Sequence, residues 1–217
     1  MDKSASFLFR SAGHDYQVSA MLKYLLPPIL IIFLSCVHTS IVSCQVGPND
    51  FDVDKAIMIM GIREGMIIGE AGAGRGFFTF PMAEKVGVTG KIYANDIKSN
   101  ALLTIQNRCS RMSVTNIITV LGEVADPKFP VNDLDMVVIV HAFHDFSQPV
   151  AWLRNLKKYM KPGASLAILD RDPERWGRMS YHFLSRDEVI KLLKEGGFKN
   201  IRVDTSLQND NIYIAVQ

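Results

Sequence analysis

The stretch GMIIGEAGAGRG, residues 65–76, decides the fold of this 217-residue chain. Its first part is a short uncharged apolar run, which predicts a buried strand over 65–69. Its second part carries glycines at 72, 74 and 76, which permit a tight turn and let a ligand approach the backbone. A helical pattern follows directly over 77–86. A buried strand, a glycine-rich turn and a helix in this order predict an α/β fold with a ligand site at the turn.

Strand and helix patterns alternate through the rest of the chain. Further apolar strands are predicted at 91–95, 117–121, 135–140 and 165–169. Helices are predicted at 53–60, 99–111, 149–159 and 187–195. Near-continuous apolar strands separated by helices indicate a parallel sheet that is covered on both faces. The last two strands, 199–206 and 211–216, leave no room for a helix between them and must pair as an antiparallel hairpin.

Two acidic residues flank the glycine turn. Glu70 stands just before the glycines, where a carboxylate would repel a phosphate but would suit a ligand that carries an ammonium group. Asp96 ends the second strand, where it can accept both hydroxyls of a ribose, or instead cap the next helix. The glycine spacing is GxGxG, because Phe77 stands where GxGxxG has its third glycine. These features together predict a nucleoside site without choosing the cofactor.

The segment HAFHDF, residues 141–146, follows the fourth strand and supplies candidate catalytic groups. His144 is suited to deprotonate a bound acceptor, with Asp145 or a neighbour orienting it. A surface or capping role for His144 is the alternative. Phe143 and Phe146 are candidates to face the ligand, although aromatic side chains are more often core residues.

The loop over 170–182 follows the fifth strand and would lie at the same edge of the sheet. Arg171, Arg175 and Arg178, interleaved with Trp176, can grip an anionic or aromatic acceptor. A solvated loop of mixed charge is the favoured interpretation, because acidic residues at 170, 172 and 174 offset the arginines. Neighbouring aspartates at 170 and 172 lack further metal ligands in the sequence, so no metal site is predicted.

The first 44 residues differ from the remainder. A charge-free apolar run over 24–37 follows Lys23 and is short for a membrane-spanning helix. It predicts an export signal, with a short membrane anchor or a buried helix as alternatives. The sequence IVSC, residues 41–44, resembles a bacterial lipobox with Cys44 as the lipidated residue. We therefore predict a signal over 1–44 and one domain over 45–217, exported or membrane-anchored; it is cytoplasmic if the N-terminal segment does not function.

Composition excludes several classes of protein. With 48% hydrophobic and 21% charged residues, the chain can bury a core and is not disordered. A net charge of +2 argues against general nucleic-acid binding, and three cysteines exclude a disulfide-rich scaffold. The oligomeric state is not predicted.

Four segments together resemble the class I S-adenosylmethionine-dependent methyltransferases over about residues 52–217. They are GMIIGEAGAGRGFFTFPMAEKVGVTGKIYANDI (65–97), NIITVLGE (116–123), LKKYMKPGASLAILD (156–170) and SRDEVIKLLKEGGF (185–198). The chain is most similar to small, export-signal-bearing bacterial members with a ubiquinone/menaquinone-methyltransferase-like core. The resemblance implies a three-layer, doubly wound Rossmann-like fold, with a mostly parallel seven-stranded sheet and a C-terminal antiparallel hairpin.

The resemblance also implies a cofactor, S-adenosyl-L-methionine, and the residues that bind it. These are Glu70, Gly72, Gly74, Gly76, Asp96, Ile97, Glu123, Val124 and His141. Asp96 would hold the ribose hydroxyls, Ile97 would pack on the adenine, and His141 would lie near the sulfonium. Glu123 and Val124 would meet the adenine edge, where Glu123 stands in place of the shorter aspartate that the family usually has.

The predicted function is methyl transfer to a small-molecule or lipid acceptor by direct displacement, with His144 and Asp145 as the catalytic residues. Membrane attachment would run through the N-terminal segment, and nucleic acid is not an expected partner. One alternative is an exported, non-catalytic lipoprotein that binds a nucleoside or cofactor. A nicotinamide-dependent oxidoreductase is the other, but the GxGxG spacing, Glu70 and the terminal hairpin argue against it.

Overall fold

The computed structural model describes residues 52–177 and 180–217. Its strands are β1 (Ile67–Ala71), β2 (Lys91–Asp96), β3 (Ile117–Leu121), β4 (Leu134–Val140), β5 (Met160–Arg171), β6 (Lys199–Asp204) and β7 (Asp210–Val216). Its α-helices are α1 (Val53–Met60), α2 (Thr79–Val86), α3 (Ser99–Met112), α4 (Pro149–Leu156), α5 (Pro173–Trp176) and α6 (Arg186–Glu195). Short 3₁₀ turns occupy Phe143–Asp145, Lys157–Tyr159 and Ser180–His182.

The strands form one seven-stranded sheet in the order β3-β2-β1-β4-β5-β7-β6. Every neighbouring pair from β3 to β5 is parallel, whereas β7 runs antiparallel to both β5 and β6. The predicted fold class, including the C-terminal antiparallel pair, is therefore confirmed. This order places the carboxyl ends of β1, β2, β4 and β5 along one edge, where ligands bind in open α/β sheets.

Helices cover both faces of the sheet. Successive strand residues point to opposite faces, so Ile68 and Val138 belong to one buried cluster while Val137 and Ile139 belong to the other. The first cluster receives side chains from α1, α2 and α3, and the second from α4 and α6. Burial of the apolar strand faces on both sides produces the three layers that the sequence predicts.

Two strands begin two or more residues away from the predicted position. Strand β1 begins at Ile67 rather than at 65, because Gly65 lies in a turn with φ +80°, and it continues through Glu70 to Ala71. Strand β5 begins at Met160, five residues earlier than predicted. Met160 pairs with Leu134, and the regular ladder resumes only at Ser165 opposite Met136. The irregular segment between these pairs accommodates Pro162, which cannot donate to a ladder.

The predicted export signal and Cys44 lie outside the described residues. Within 52–177 and 180–217, no helix is long and apolar enough to cross a membrane.

Candidate active site

The glycine turn after β1 lies against the ends of two other strands. The Ala73 amide donates to the Asn95 carbonyl at 2.9 Å, and the Gly74 amide donates to Asp96 Oδ2 at 2.9 Å. Gly72 has φ +73°, and a Cβ there would come within 2.5 Å of the Ala142 Cβ. The turn therefore requires glycine at 72, both for its backbone conformation and for its contact with the segment after β4.

Asp96 ends β2 and faces the turn. Its Oδ2 accepts from Gly74, and its Oδ1 accepts from the Lys98 amide at 2.8 Å. Lys98, not Asp96, is the N-cap residue of α3. A carboxylate has about four acceptor positions, so these two bonds leave capacity for two ribose hydroxyls.

Glu70 is buried within β1, and the Thr79 hydroxyl donates a hydrogen bond to its carboxylate. Burial raises the pKa of the Glu70 carboxyl to about 8; the Thr79 bond opposes this shift, and the negative charge of Asp96 adds to it. Glu70 is therefore mainly neutral at pH 7 in the ligand-free protein. A nearby ammonium group would favour its ionised form.

A cleft of about 450 Å³ that is open to solvent brings residues from five segments together. It is lined by Gly72, Asn95, Asp96, Ile97, Glu123, Val124, Asp145, Phe146, Ser147 and Trp152. Ile97 and Val124 are apolar yet about half exposed, at 55% and 46%. Exposed apolar side chains beside a carboxylate suit a flat base joined to a ribose. The residues present therefore fit a nucleoside.

Five of the predicted cofactor residues line this cleft, and so does Asp145, which the sequence assigns to catalysis. Sequence reasoning missed Asn95, Ser147 and Trp152 as lining residues. Trp152 lies inside α4, and no local motif marks it. Asn95 precedes Asp96 on β2 and donates to the carbonyls of Val120 and Pro127 at 3.3 and 2.6 Å, so it also fixes the segment after β3.

The other predicted cofactor residues, Glu70, Gly74, Gly76 and His141, are not among the residues that line the cleft. Gly76 packs closely on Phe80, where an added Cβ would approach to 2.9 Å. His141 has φ +48°, and its Nε2 lies 2.8 Å from Asp210 Oδ1 on β7. Its predicted place near the sulfonium stays a prediction.

His144 lies in the 3₁₀ turn after β4, and its side chain is only 6% exposed. Its Nδ1 is 2.7 and 2.9 Å from the two Asp170 carboxylate oxygens, and its amide donates to Asp170 at 3.2 Å. Burial lowers the pKa of His144, but the hydrogen bond and charge of Asp170, with the charge of Asp145, outweigh it and raise the pKa. Asp170 at the end of β5 is thus the residue that orients His144, and the surface alternative for His144 is wrong.

The arginines of the loop after β5 are engaged within the protein. Arg171 Nη1 lies 3.1 Å from Asp210 Oδ2, and its guanidinium stacks 4.1 Å from the Trp176 ring. Arg175 donates to the carbonyls of Leu207 and Asp210 at 2.6 and 2.8 Å. These contacts favour a structural role for Arg171 and Arg175 over a grip on an acceptor. Arg178 lies outside the described residues.

The aromatic residues of HAFHDF divide between core and cleft. Phe143 is buried, as a core residue would be. Phe146 lines the cleft and packs edge-on against Trp152, with ring centroids 5.0 Å apart. This pair forms an apolar wall beside Asp145.

The fold and the cleft together define an α/β protein that binds a nucleoside-containing cofactor at the carboxyl edge of its sheet. The profile of the family described as "Methyltransferase domain" matches residues 62–210. The chain belongs to this family, and the resemblance to class I S-adenosylmethionine-dependent methyltransferases is confirmed. S-adenosyl-L-methionine is the cofactor that the fold and the relatives define. The export-signal-bearing subtype stays a prediction.

Similar proteins carry related descriptions. The crystal structure of a SAM-dependent methyltransferase from Aquifex aeolicus is 27% identical, covers 76% of this chain and 89% of its own chain, and superposes with a TM-score of 0.72. A demethylmenaquinone methyltransferase of Bacillus licheniformis is 26% identical over 132 residues, which are 60% of this chain and 56% of that protein. One from Staphylococcus aureus is 22% identical over 176 residues, covering 66% of this chain and 72% of its own length. The chain thus spans little more than half of the Bacillus protein.

Proposed function

We propose that this protein transfers a methyl group from S-adenosyl-L-methionine to a small-molecule or lipid acceptor. The observation that carries the proposal is the single cleft that joins Asp96, Ile97 and Val124 to Asp145 and Phe146. When bound, the cofactor supplies a methyl group already activated on a sulfonium, which an acceptor displaces directly. The protein then has to align the acceptor and exclude water.

The cofactor end of the cleft is formed by β1, β2 and the segment after β3. The Asp96 carboxylate accepts hydrogen bonds from the ribose hydroxyls, at the acceptor positions that the Gly74 and Lys98 amides do not occupy. Ile97 and Val124 bury their exposed apolar surface against the adenine. Glu70 is buried in β1 just before the glycine turn and, in its ionised form, neutralises the ammonium group of the amino-acid part.

The acceptor end is formed by the turn after β4. Asp170 holds the His144 ring through Nδ1, so Nε2 presents its lone pair on the side of Asp145. For an acceptor that must lose a proton, His144 Nε2 takes that proton as the acceptor attacks. Phe146 and Trp152 shield this end from water.

A lipid-like acceptor is supported by the relatives and by the wall of the cleft. Both curated relatives are described as demethylmenaquinone methyltransferases. Phe146 is partly exposed and is backed by the buried Trp152, so it offers an apolar, aromatic surface of the kind that a quinol ring would contact. An isoprenoid quinol is therefore the first acceptor to assay.

Calorimetric titration of the full chain with S-adenosylmethionine and S-adenosylhomocysteine tests the cofactor half of the proposal. We expect micromolar binding that Asp96→Asn weakens by about 10–100-fold, because a charge-assisted hydrogen bond contributes about 1.5–3 kcal/mol. Asp187→Asn, an exposed carboxylate of α6, is the matched control and should bind normally. Binding of a nicotinamide dinucleotide instead would favour the oxidoreductase alternative.

Methyl transfer itself is tested with methyl-labelled cofactor and a panel of quinol, phenol and lipid acceptors. Label should appear in an extracted product, and His144→Gln should slow its formation while leaving cofactor binding unchanged. Cofactor binding without transfer to any acceptor would favour the non-catalytic binding protein.

Residues 1–44 are proposed to direct export, with Cys44 as the point of lipid attachment. The support is the charge-free run over 24–37 and the IVSC tetrapeptide that follows it. Cell fractionation of the full chain and of Cys44→Ala separates the possibilities. An exported lipoprotein should lose its membrane fraction in Cys44→Ala, whereas an intact chain recovered from the cytosol would contradict export.

A further inference from the structure

Three potential metal-binding side chains converge at the acceptor end of the site. His144, Asp145 and His182 each offer a ligand atom, and these atoms lie within 4.8 Å of one another. One Asp145 oxygen is 3.8 Å from His144 Nε2, and the other is 3.6 Å from His182 Nε2. The carboxylate therefore lies between two imidazole nitrogens that come from separate segments of the chain.

The His144 ring is already set for metal binding. His144 Nδ1 lies 2.7 Å from Asp170 Oδ1 and donates to it, so the neutral ring has its lone pair on Nε2. In metal sites, ligating histidines commonly donate their other ring nitrogen to a carboxylate, which fixes the tautomer and raises ligand basicity. Phe183 packs edge-on against both imidazoles, with centroids 4.8 and 5.2 Å away, and provides an apolar flank.

We propose that His144 Nε2, His182 Nε2 and the Asp145 carboxylate bind a divalent ion of the zinc class. Imidazole and carboxylate ligands suit Zn²⁺ and its neighbours in the first transition series rather than Ca²⁺. Bonds of about 2.0–2.1 Å in a tetrahedral site place ligand atoms roughly 3.3 Å apart. The observed separations are wider, at 3.6 and 3.8 Å for the two contacts of Asp145 and up to 4.8 Å across the cluster. The exposed Asp145 and His182 side chains would have to move inward to bind the ion.

Three protein ligands leave a coordination position for water or an acceptor oxygen, as in catalytic zinc sites. Asp145 also lines the cofactor cleft, so an oxygen on this ion would lie beside it. That role towards an acceptor rests on the proposed methyl transfer, whereas binding of the ion does not. With an ion on Nε2, the ion, rather than the imidazole, would favour the ionised form of an acceptor hydroxyl.

Titration of the full chain with Zn²⁺ against a chromophoric chelator tests the site directly. We expect one ion per chain whose affinity falls by at least about tenfold in His182→Gln and in Asp145→Asn. Both side chains are exposed, so these variants should fold normally. His141→Gln and Asp187→Asn are the matched controls and should keep the affinity, because His141 Nε2 is bonded to Asp210 and Asp187 lies on α6.

Co²⁺ bound to the same protein identifies the ligand types by its absorption spectrum. Nitrogen and oxygen ligands should give visible d–d bands without an intense thiolate band in the near ultraviolet. A thiolate band, an affinity unchanged in both cluster variants, or no binding to the wild-type chain would overturn the site. Cofactor calorimetry on the His182→Gln protein separates the proposals, because His182 does not line the cofactor cleft. This variant should lose Zn²⁺ affinity and keep normal S-adenosylmethionine binding.

Discussion

At the scale of single residues, Glu70 is a buried carboxyl whose protonation should be coupled to the cofactor. Its pKa is raised to about 8 by burial, so it enters the binding reaction mainly neutral at pH 7. An ammonium group close to it would lower that pKa, and the carboxyl would release a proton. Calorimetric titration at pH 7 in two buffers of different ionisation enthalpy should show release of up to about one proton per cofactor bound.

The matched variant for this prediction is Glu70→Gln, which keeps the shape of the side chain and its capacity to accept from Thr79. This variant has no carboxyl to release a proton at position 70, so its enthalpy of cofactor binding should be the same in both buffers. Proton release that persists in Glu70→Gln would assign the coupling to another residue.

The same shift makes a prediction about folding. The pKa of Glu70 is about 8 in the folded protein and ordinarily near 4.5. At pH values between these two, the folded state therefore holds a proton that the unfolded state has lost. Stability should therefore fall as pH rises from about 5 to 8, by up to about 1.4 kcal/mol per pH unit. Urea unfolding across this range measures it.

His144 changes stability with pH in the same direction as Glu70. Its pKa in the folded protein is raised above 6.5, so the stabilisation that protonated His144 provides is lost as pH rises through that pKa. The comparison with Glu70→Gln therefore isolates the glutamate. That variant should have a flatter stability profile between pH 5 and 8 than the wild-type chain. Parallel profiles for the two proteins would contradict a raised Glu70 pKa.

At the scale of elements, the turn between β1 and α2 is shaped by contact as well as by backbone conformation. An alanine at Gly72 would meet the Ala142 Cβ at 2.5 Å and would adopt φ +73°. We expect Gly72→Ala to lower the free energy of unfolding by about 2–4 kcal/mol and to weaken cofactor binding. Thermal or urea unfolding and calorimetry measure the two effects.

Gly163→Ala is the matched control, since Gly163 has φ +77° but nothing within 4 Å of an added Cβ. Gly163→Ala should lower the free energy of unfolding by about 1 kcal/mol, because only the positive φ disfavours alanine there, and cofactor binding should stay normal. Equal effects of the two variants on stability and binding would show that the contact with Ala142 is unimportant.

Helix α5 is tied to the turn before β7 by a single guanidinium group. Arg175 bonds to the carbonyls of Thr205, Leu207 and Asp210 and to the side chain of Asn211. Arg175→Met leaves these acceptors without that donor and should lower the free energy of unfolding by about 3 kcal/mol. Arg186→Met removes only a 3.8 Å contact with Asp172 and should cost less than about 0.5 kcal/mol in urea unfolding.

The elements also show what the sequence can and cannot predict. The sequence predicts Asp96 and Ile97 as cofactor-binding residues, and both line the cleft. Their position could be predicted because a parallel strand presents its carboxyl end to the site and the local pattern locates that end. Asp170 as the partner of His144, and His182 beside it, were missed because both contacts depend on how the segments after β4 and β5 meet. The start of β5 at Met160 was missed for a related reason. Met160 belongs to the strand because it pairs with Leu134 across the sheet, and no local sequence pattern indicates that pairing.

At the scale of the whole molecule, the site exists only when the sheet is assembled. The cleft takes residues from the ends of β1 and β2, the segment after β3, the turn after β4 and helix α4. The cofactor should therefore bind the folded chain and not the unfolded one, and binding must stabilise folding. At about one hundred times its dissociation constant, S-adenosylmethionine should add about 2.7 kcal/mol to the free energy of unfolding.

For a chain of this length, that gain corresponds to a rise in Tm of about 5–10 °C. A thermal scan of the full chain with S-adenosylmethionine should show this rise, and Asp96→Asn should show little of it at the same concentration. NADH serves as the control ligand, since it shares the nucleoside but has no sulfonium or amino-acid part. A larger rise with NADH than with S-adenosylmethionine would mean that the cleft is built for a dinucleotide, because mass action gives the greater stabilisation to the ligand that the folded state binds more tightly.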